Sequence, residues 1–205
     1  MVTQQLESRD ISDQRVLQAM RQVPRHLFVP EDRQNEAYQD RPLSIGYGQT
    51  ISQPYIVGYM TAALALSGDE KVLEVGTGSG YQAAVLSRVA SQVITIEYIP
   101  ELADTARTAL AKLGYDNVEV LVGDGSAGWP EEAPYEAIMF TAAAPEIPAP
   151  LRDQLADGGR LVGPIGSRYD QVLVRLWRIS NEWKTETLKA VIFVPLVGEH
   201  GWRNY

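Results

Sequence analysis

Val72-Leu73-Glu74-Val75-Gly76-Thr77-Gly78-Ser79-Gly80-Tyr81 decides the fold. A short apolar strand over residues 72–75 runs into three closely spaced glycines, and a helical pattern follows over residues 81–89. Glycine tolerates positive φ and lets a ligand approach the backbone closely. In open α/β sheets, ligands bind beyond the carboxyl ends of such strands. The stretch therefore predicts a parallel sheet with a nucleoside-type turn.

Outward from that turn, strand and helix alternate. Residues 93–96 read as a strand, 101–113 as a helix closed by Gly114, and 118–122 and 137–140 as two more strands. A short helix over 150–155 ends at Gly158-Gly159, and 161–165 is a fifth strand. Alternation of this kind implies parallel pairing with right-handed crossovers. Residues 172–179 and 187–194, separated by Asn181-Glu182-Trp183-Lys184, predict an antiparallel hairpin at the sheet edge. The Trp177 and Trp183 rings read as hairpin packing.

The first third has a different rhythm. Val16, Leu17, Ala19, Met20 and Val23 recur at helical spacing and stop before Pro24. A loop-like stretch to Thr50 follows, then a helix from Pro54 to about Leu66, with Ser52 as its expected N-cap. Residues 1–67 are expected to form a small helical lobe that covers the site, and 68–205 the α/β core of one structural domain.

Composition narrows the function. The 205 residues are 45% hydrophobic and 21% charged, which is ordinary for a globular chain. A net charge of −8 argues against a nucleic-acid partner, because phosphate binding rests on Lys and Arg. With no cysteine, disulfides, thiolate metal sites and thiol nucleophiles are excluded. Two distant histidines, His26 and His200, give no support to a metal site. No signal sequence and no membrane-spanning stretch is evident, so a cytoplasmic location, no membrane partner and a monomer are expected.

Spacing separates the candidate cofactors. A dinucleotide fingerprint would place its third glycine at position 81, which is Tyr81. Glycines at 76, 78 and 80 after Glu74 resemble instead the first motif of the Rossmann-like S-adenosylmethionine methyltransferases. Glu97, ending the next strand, is placed to accept both ribose hydroxyls, as the acid does in dinucleotide folds. Asp124-Gly125 ends the third strand, where the acid could hold the adenine amino group and the glycine leave room for the ring. The bland alternative is that Glu74, Glu97 and Asp124 only cap helices and loops.

Residues 37–54, Ala-Tyr-Gln-Asp-Arg-Pro-Leu-Ser-Ile-Gly-Tyr-Gly-Gln-Thr-Ile-Ser-Gln-Pro, resemble the signature of the protein-L-isoaspartate O-methyltransferase family. So do residues 23–30, 73–81, 123–125, 141–145 and 193–196, in the family's order and across nearly the whole chain. Two departures are visible: Glu136 stands where the family has Asp, and Ser44 where it has Pro.

The resemblance implies methyl transfer from S-adenosyl-L-methionine, with S-adenosyl-L-homocysteine as product, to the α-carboxyl group of L-isoaspartyl residues in damaged proteins and peptides. D-Aspartyl residues remain an open acceptor. The ester would then close to a succinimide, so that repair follows from methylation. The resemblance also implies cofactor contacts from Thr50, Ile51, Glu74, Gly76, Thr77, Gly78, Gly80, Glu97, Tyr98, Asp124 and Gly125. Ser52 is its catalytic position, orienting the carboxylate by a hydrogen bond. Val194, Pro195, Leu196 and Val197 would join Ser52 along a peptide groove. His26 reads as structural and His200 as a loop residue beside that groove. Two alternatives stay open: a same-fold methyltransferase for another carboxylate or peptide acceptor, and a non-catalytic module that binds damaged protein.

Overall fold

The computed structural model describes residues 1–180 and 182–203. Strand β3 (Lys71–Val75) lies at the centre of a seven-stranded sheet. On one side it pairs in parallel with β4 (Gln92–Glu97), which pairs with β5 (Val118–Val122). On the other it pairs with β6 (Tyr135–Phe140) and then, still in parallel, comes β7 (Leu155–Gly166). Two antiparallel strands, β8 (Gln171–Ile179) and β9 (Glu182–Val191), finish the edge. The sheet order is thus β5-β4-β3-β6-β7-β8-β9. The expected α/β sheet with a C-terminal hairpin is present.

Alternation along β3 divides its side chains between two cores. Leu73 and Val75 join Ile94, Ile96, Ile138 and Phe140 on one face. Val72 joins the other, which also holds α3 (Tyr81–Leu86) and the N-terminal lobe. Each fully buried aliphatic side chain contributes roughly 1.5–3 kcal/mol. Leu6, Leu17 and Met20 of the lobe are in the same cluster as Tyr81, Val85 and Val93, so one hydrophobic core ties residues 1–67 to the sheet.

The lobe begins with a helical turn, Val2–Glu7, and α1 (Gln14–Gln22), whose N-cap Asp13 accepts from Arg15 N and Val16 N. The stretch expected to be loop to Thr50 carries more order than that. It holds 3₁₀ turns at Arg25–Phe28 and Glu31–Glu36 and a small hairpin of β1 (Leu43–Gly46) and β2 (Gln49–Ile51). The helix α2 (Pro54–Ala63) follows, shorter than its apolar pattern suggested. Helix α4 (Pro100–Lys112) connects β4 to β5, and α5 (Ala149–Asp153) precedes β7. Helix α3 also stops earlier than expected, at Leu86.

Three other boundaries differ from the sequence reading. Strand β7 starts at Leu155 and not at Leu161, because Leu155 pairs across to Tyr135 before the regular register begins. Strand β9 starts at Glu182 and stops at Val191. As an edge strand it needs no apolar alternation, so Glu182-Trp183-Lys184 pairs although it reads as turn. Of that expected turn, Asn181 lies outside the described residues. Ser52 is not the N-cap of α2: Gln53 holds that position, and the helix takes its outside hydrogen bond from Asp40, whose Oδ1 accepts from Tyr55 N at 3.2 Å.

Candidate active site

A cavity of about 450 Å³ opens at the carboxyl ends of β3, β4 and β6. This is within the size range of small-molecule sites. Its floor is the turn after β3. Gly76 has φ +97°, and a Cβ there would sit 2.4 Å from Thr141 Oγ1. That hydroxyl donates to the carbonyls of Gly76 (2.7 Å) and Val75 (3.1 Å), fixing the turn from the β6 side. A Cβ on Gly125 would meet Val75 Cγ1 at 2.5 Å, so only glycine lets the turn after β5 stand so close to the strand. Both positions form a cradle in which a planar or ribose-bearing group can lie against backbone.

Glu97 ends β4 and lines the cavity. Its Oε2 accepts from Gly78 N at 2.8 Å and its Oε1 from Ile99 N at 3.1 Å. An ionised carboxylate has about four acceptor sites. The two backbone donors fix its orientation and leave capacity for two hydroxyl donors.

The other sequence candidates divide cleanly. Thr50, Gly76, Gly78, Glu97, Tyr98 and Gly125 line this cavity, as do Val194, Pro195, Leu196 and Val197. These four were expected along a peptide groove; all four line this cavity, and Val194 also borders a second groove. Ile51 and Thr77 border a small adjoining pocket of about 40 Å³.

Glu74, Gly80 and Asp124 do not line the cavity. Glu74 has no exposed surface, and among the described residues neither carboxylate oxygen has a hydrogen-bond partner. Burial raises its pKa to about 8. It is the sheet's alternation that sends this side chain into the core and away from the ligand side. Gly80 packs against Ala106 and Leu110 of α4 and starts α3. Asp124 spends its carboxylate on the chain itself: Oδ1 accepts from Ser126 N and Oγ, and Oδ2 from Glu199 N. It thereby holds the C-terminal loop, as does Ser126 Oγ by accepting from His200 N at 3.0 Å. His26 bonds Tyr38 Oη through Nδ1 at 2.7 Å, out of the cavity.

Several lining groups were not singled out in the sequence. Tyr47, at φ +53° in the turn between β1 and β2, is exposed and lines the cavity. Thr141 borders the cavity, the small pocket and the second groove alike. Its place in the motif at 141–145 was the available signal.

The second groove, about 390 Å³, lies between the lobe and residues 190–194. Thr50, Ser52 and Thr141 border both it and the small pocket beside the glycine turn. Since Asp40 caps α2, the Ser52 hydroxyl has no capping duty, and it makes no hydrogen bond among the described residues. A free hydroxyl donor thus stands where the two spaces meet.

The sequence profile of the protein-L-isoaspartate(D-aspartate) O-methyltransferases matches residues 1–201. The chain belongs to this family. A protein-L-isoaspartate O-methyltransferase of Methanoculleus marisnigri is 55% identical over 204 residues, covering 100% of this chain and 93% of the relative. Its counterpart numbered 1 in Syntrophobacter fumaroxidans is 57% identical over 204 residues, covering 100% and 95%. Among solved structures, a protein-L-isoaspartate O-methyltransferase superposes with a TM-score of 0.87 at 28% identity, over 98% of this chain and 67% of that one. A Plasmodium falciparum structure described as a member of the same isoaspartate methyltransferase group, in complex with S-adenosyl-L-homocysteine, gives 0.80 at 28% identity over 96% of both chains. As in those isoaspartate methyltransferases, the N-terminal lobe and the sheet form one continuous match.

Proposed function

We propose that this chain transfers a methyl group from S-adenosyl-L-methionine to the α-carboxyl group of L-isoaspartyl residues in damaged proteins, opening their repair through a succinimide. One observation carries the reading: Ser52, with an unused hydroxyl, stands at the junction of a glycine-cradled cavity and a peptide-sized groove. Family membership names the chemistry, and this junction supports the reading that it occurs beside Ser52.

The cavity fits the cofactor by its own chemistry. Glu97 supplies acceptors for two ribose hydroxyls, Gly76 and Gly78 admit close contact with backbone, and Gly125 leaves room for a flat ring. Bound there, the cofactor supplies an electrophilic methyl group on a sulfonium. The isoaspartyl carboxylate is ionised at neutral pH, since a free carboxyl titrates near ~4, so no general base is needed. What remains is positioning: Ser52 would donate a hydrogen bond to one carboxylate oxygen and leave the other free to attack the methyl group. Glu74 and Asp124 act behind the cavity wall and not on the cofactor directly.

In the same reading, residues 1–67 are the covering lobe and 68–205 the core. The same reading takes the enzyme as a monomer. The net charge of −8 and the absence of cysteine support a cytoplasmic enzyme that works on protein and not on nucleic acid. Labelled methyl transfer to an isoaspartyl peptide, beside its aspartyl twin, tests the proposal.

A further inference from the structure

Arg25 is the largest fully buried side chain among the described residues. Its guanidinium is placed by three contacts. Nε donates to the Ala37 carbonyl at 2.6 Å, Nη2 donates to the Ser52 carbonyl at 2.7 Å, and Cζ lies 4.9 Å over the Tyr81 ring. The third nitrogen, Nη1, is buried and has no hydrogen-bond partner among the described residues. Burial lowers the pKa only to about 10, so the group stays charged at neutral pH.

Each contact falls on a segment the methyl transfer needs. Ser52 sits in the short link between β2 and α2, where its carbonyl belongs to neither the strand ladder nor the helix. Without Arg25 that carbonyl, and the peptide plane beyond it, would be unfixed. Tyr81 directly follows the glycine turn and opens α3. Ala37, itself fully buried, anchors the guanidinium to the lobe. One rigid, planar cation therefore spans the Ser52 link and the helix that carries the glycine turn. If the role were packing alone, an apolar side chain would serve at lower cost, because a buried charge carries a desolvation penalty.

We infer that Arg25 is a positioning residue that sets the register of Ser52 against the cofactor turn, and so aims the carboxylate at the methyl group. This rests on the reading of Ser52 as the substrate-orienting donor. Lysine at this position keeps the charge but cannot reach two carbonyls with a flat fork. The expected loss is in kcat, because small misplacement of reacting groups costs rate far more than binding.

The test is a double-mutant cycle of Arg25→Lys and Ser52→Ala, with kcat and KM for an isoaspartyl peptide and calorimetric affinity for S-adenosyl-L-homocysteine. Arg25→Lys is expected to lower kcat at least about tenfold, with cofactor affinity within about threefold of wild type. In the Ser52→Ala background the same change should cost less than about twofold, since the group it positions is gone. If Ser52→Ala is impaired and Arg25→Lys either has no effect or multiplies fully with it, Arg25 does not act through Ser52 and the inference fails alone. If Ser52→Ala keeps full turnover, the reading of Ser52 fails and takes this inference with it. Should Arg25→Lys not fold, the wild-type protein decides. With S-adenosyl-L-homocysteine bound, the Arg25 Nη2–H resonance, which reports the bond to the Ser52 carbonyl, must shift on adding isoaspartyl peptide and stay unmoved with the aspartyl twin; an unmoved resonance in both titrations overturns the inference.

Discussion

The backbone N–H of Gly78 donates to Glu97 Oε2 at 2.8 Å, so the glycine turn after one strand orients the acid at the end of the next. This bond makes the two motifs a single device: the turn admits the ligand and also aims the carboxylate. Glu97→Gln keeps the shape but removes the charge and one acceptor. Charge-assisted hydrogen bonds are worth roughly 1.5–3 kcal/mol each, so calorimetry should show cofactor affinity falling at least about tenfold, with unchanged circular dichroism. Unchanged affinity would place the ribose elsewhere.

Asp40 and Ser52 should separate stability from activity. Asp40 accepts from Tyr55 N and from Gln53 Nε2, so it closes the start of α2. Asp40→Ala should lower stability by about 1 kcal/mol or more, as loss of a capping group does. Ser52→Ala should melt near wild type yet transfer methyl slowly, and Ser52→Thr should retain part of the rate. A large stability loss from Ser52→Ala with normal turnover of the folded fraction would assign the hydroxyl to structure.

Glu74 sets a pH dependence. Its pKa is raised in the folded state, from an unfolded value of 4.5 to about 8, chiefly by burial. Below 4.5 both states are protonated and the acid adds no pH-dependent cost. As pH rises toward 8 the unfolded chain releases the proton and the folded chain holds it, so stability falls through this window. Glu74→Gln, neutral throughout, should gain stability relative to wild type between those limits. Urea denaturation at several pH values checks this; a gap that does not widen with pH would show that Glu74 ionises freely in the fold.

Gly125→Ala places a methyl group 2.5 Å from Val75 Cγ1, and the wall must move to accept it. Cofactor affinity should fall while Gly114→Ala, whose Cβ meets nothing within 4 Å, should affect stability through its φ of +73° and leave cofactor affinity alone. Equal loss of cofactor affinity in both would mean that the cradle is not at Gly125.

Much of this was legible in the sequence. Strands β3 to β5 announce themselves because short buried runs end at glycines or acids, and the glycines at 76, 78 and 80 resemble the motif of the cofactor class. What periodicity could not supply was partnership across the chain. Ser52 looks like a cap because it precedes Pro54, yet the donor it would satisfy is taken by Asp40 from a separate loop. Glu74 looks like a ligand because it adjoins the glycines, but strand alternation points it into the core. Asp124 sits at the right strand end and is drawn off by Ser126 and Glu199. Arg25 gave no signal of its role, because its importance lies in two carbonyls 12 and 27 positions away.

The most direct test uses purified protein, labelled S-adenosyl-L-methionine and two peptides that differ only in whether one aspartyl residue is linked through its side chain. The account predicts rapid methyl incorporation into the isoaspartyl peptide and almost none into its aspartyl twin, with the isoaspartyl rate collapsing in Ser52→Ala. Equal rates on both peptides, or none on either with cofactor bound, would contradict it.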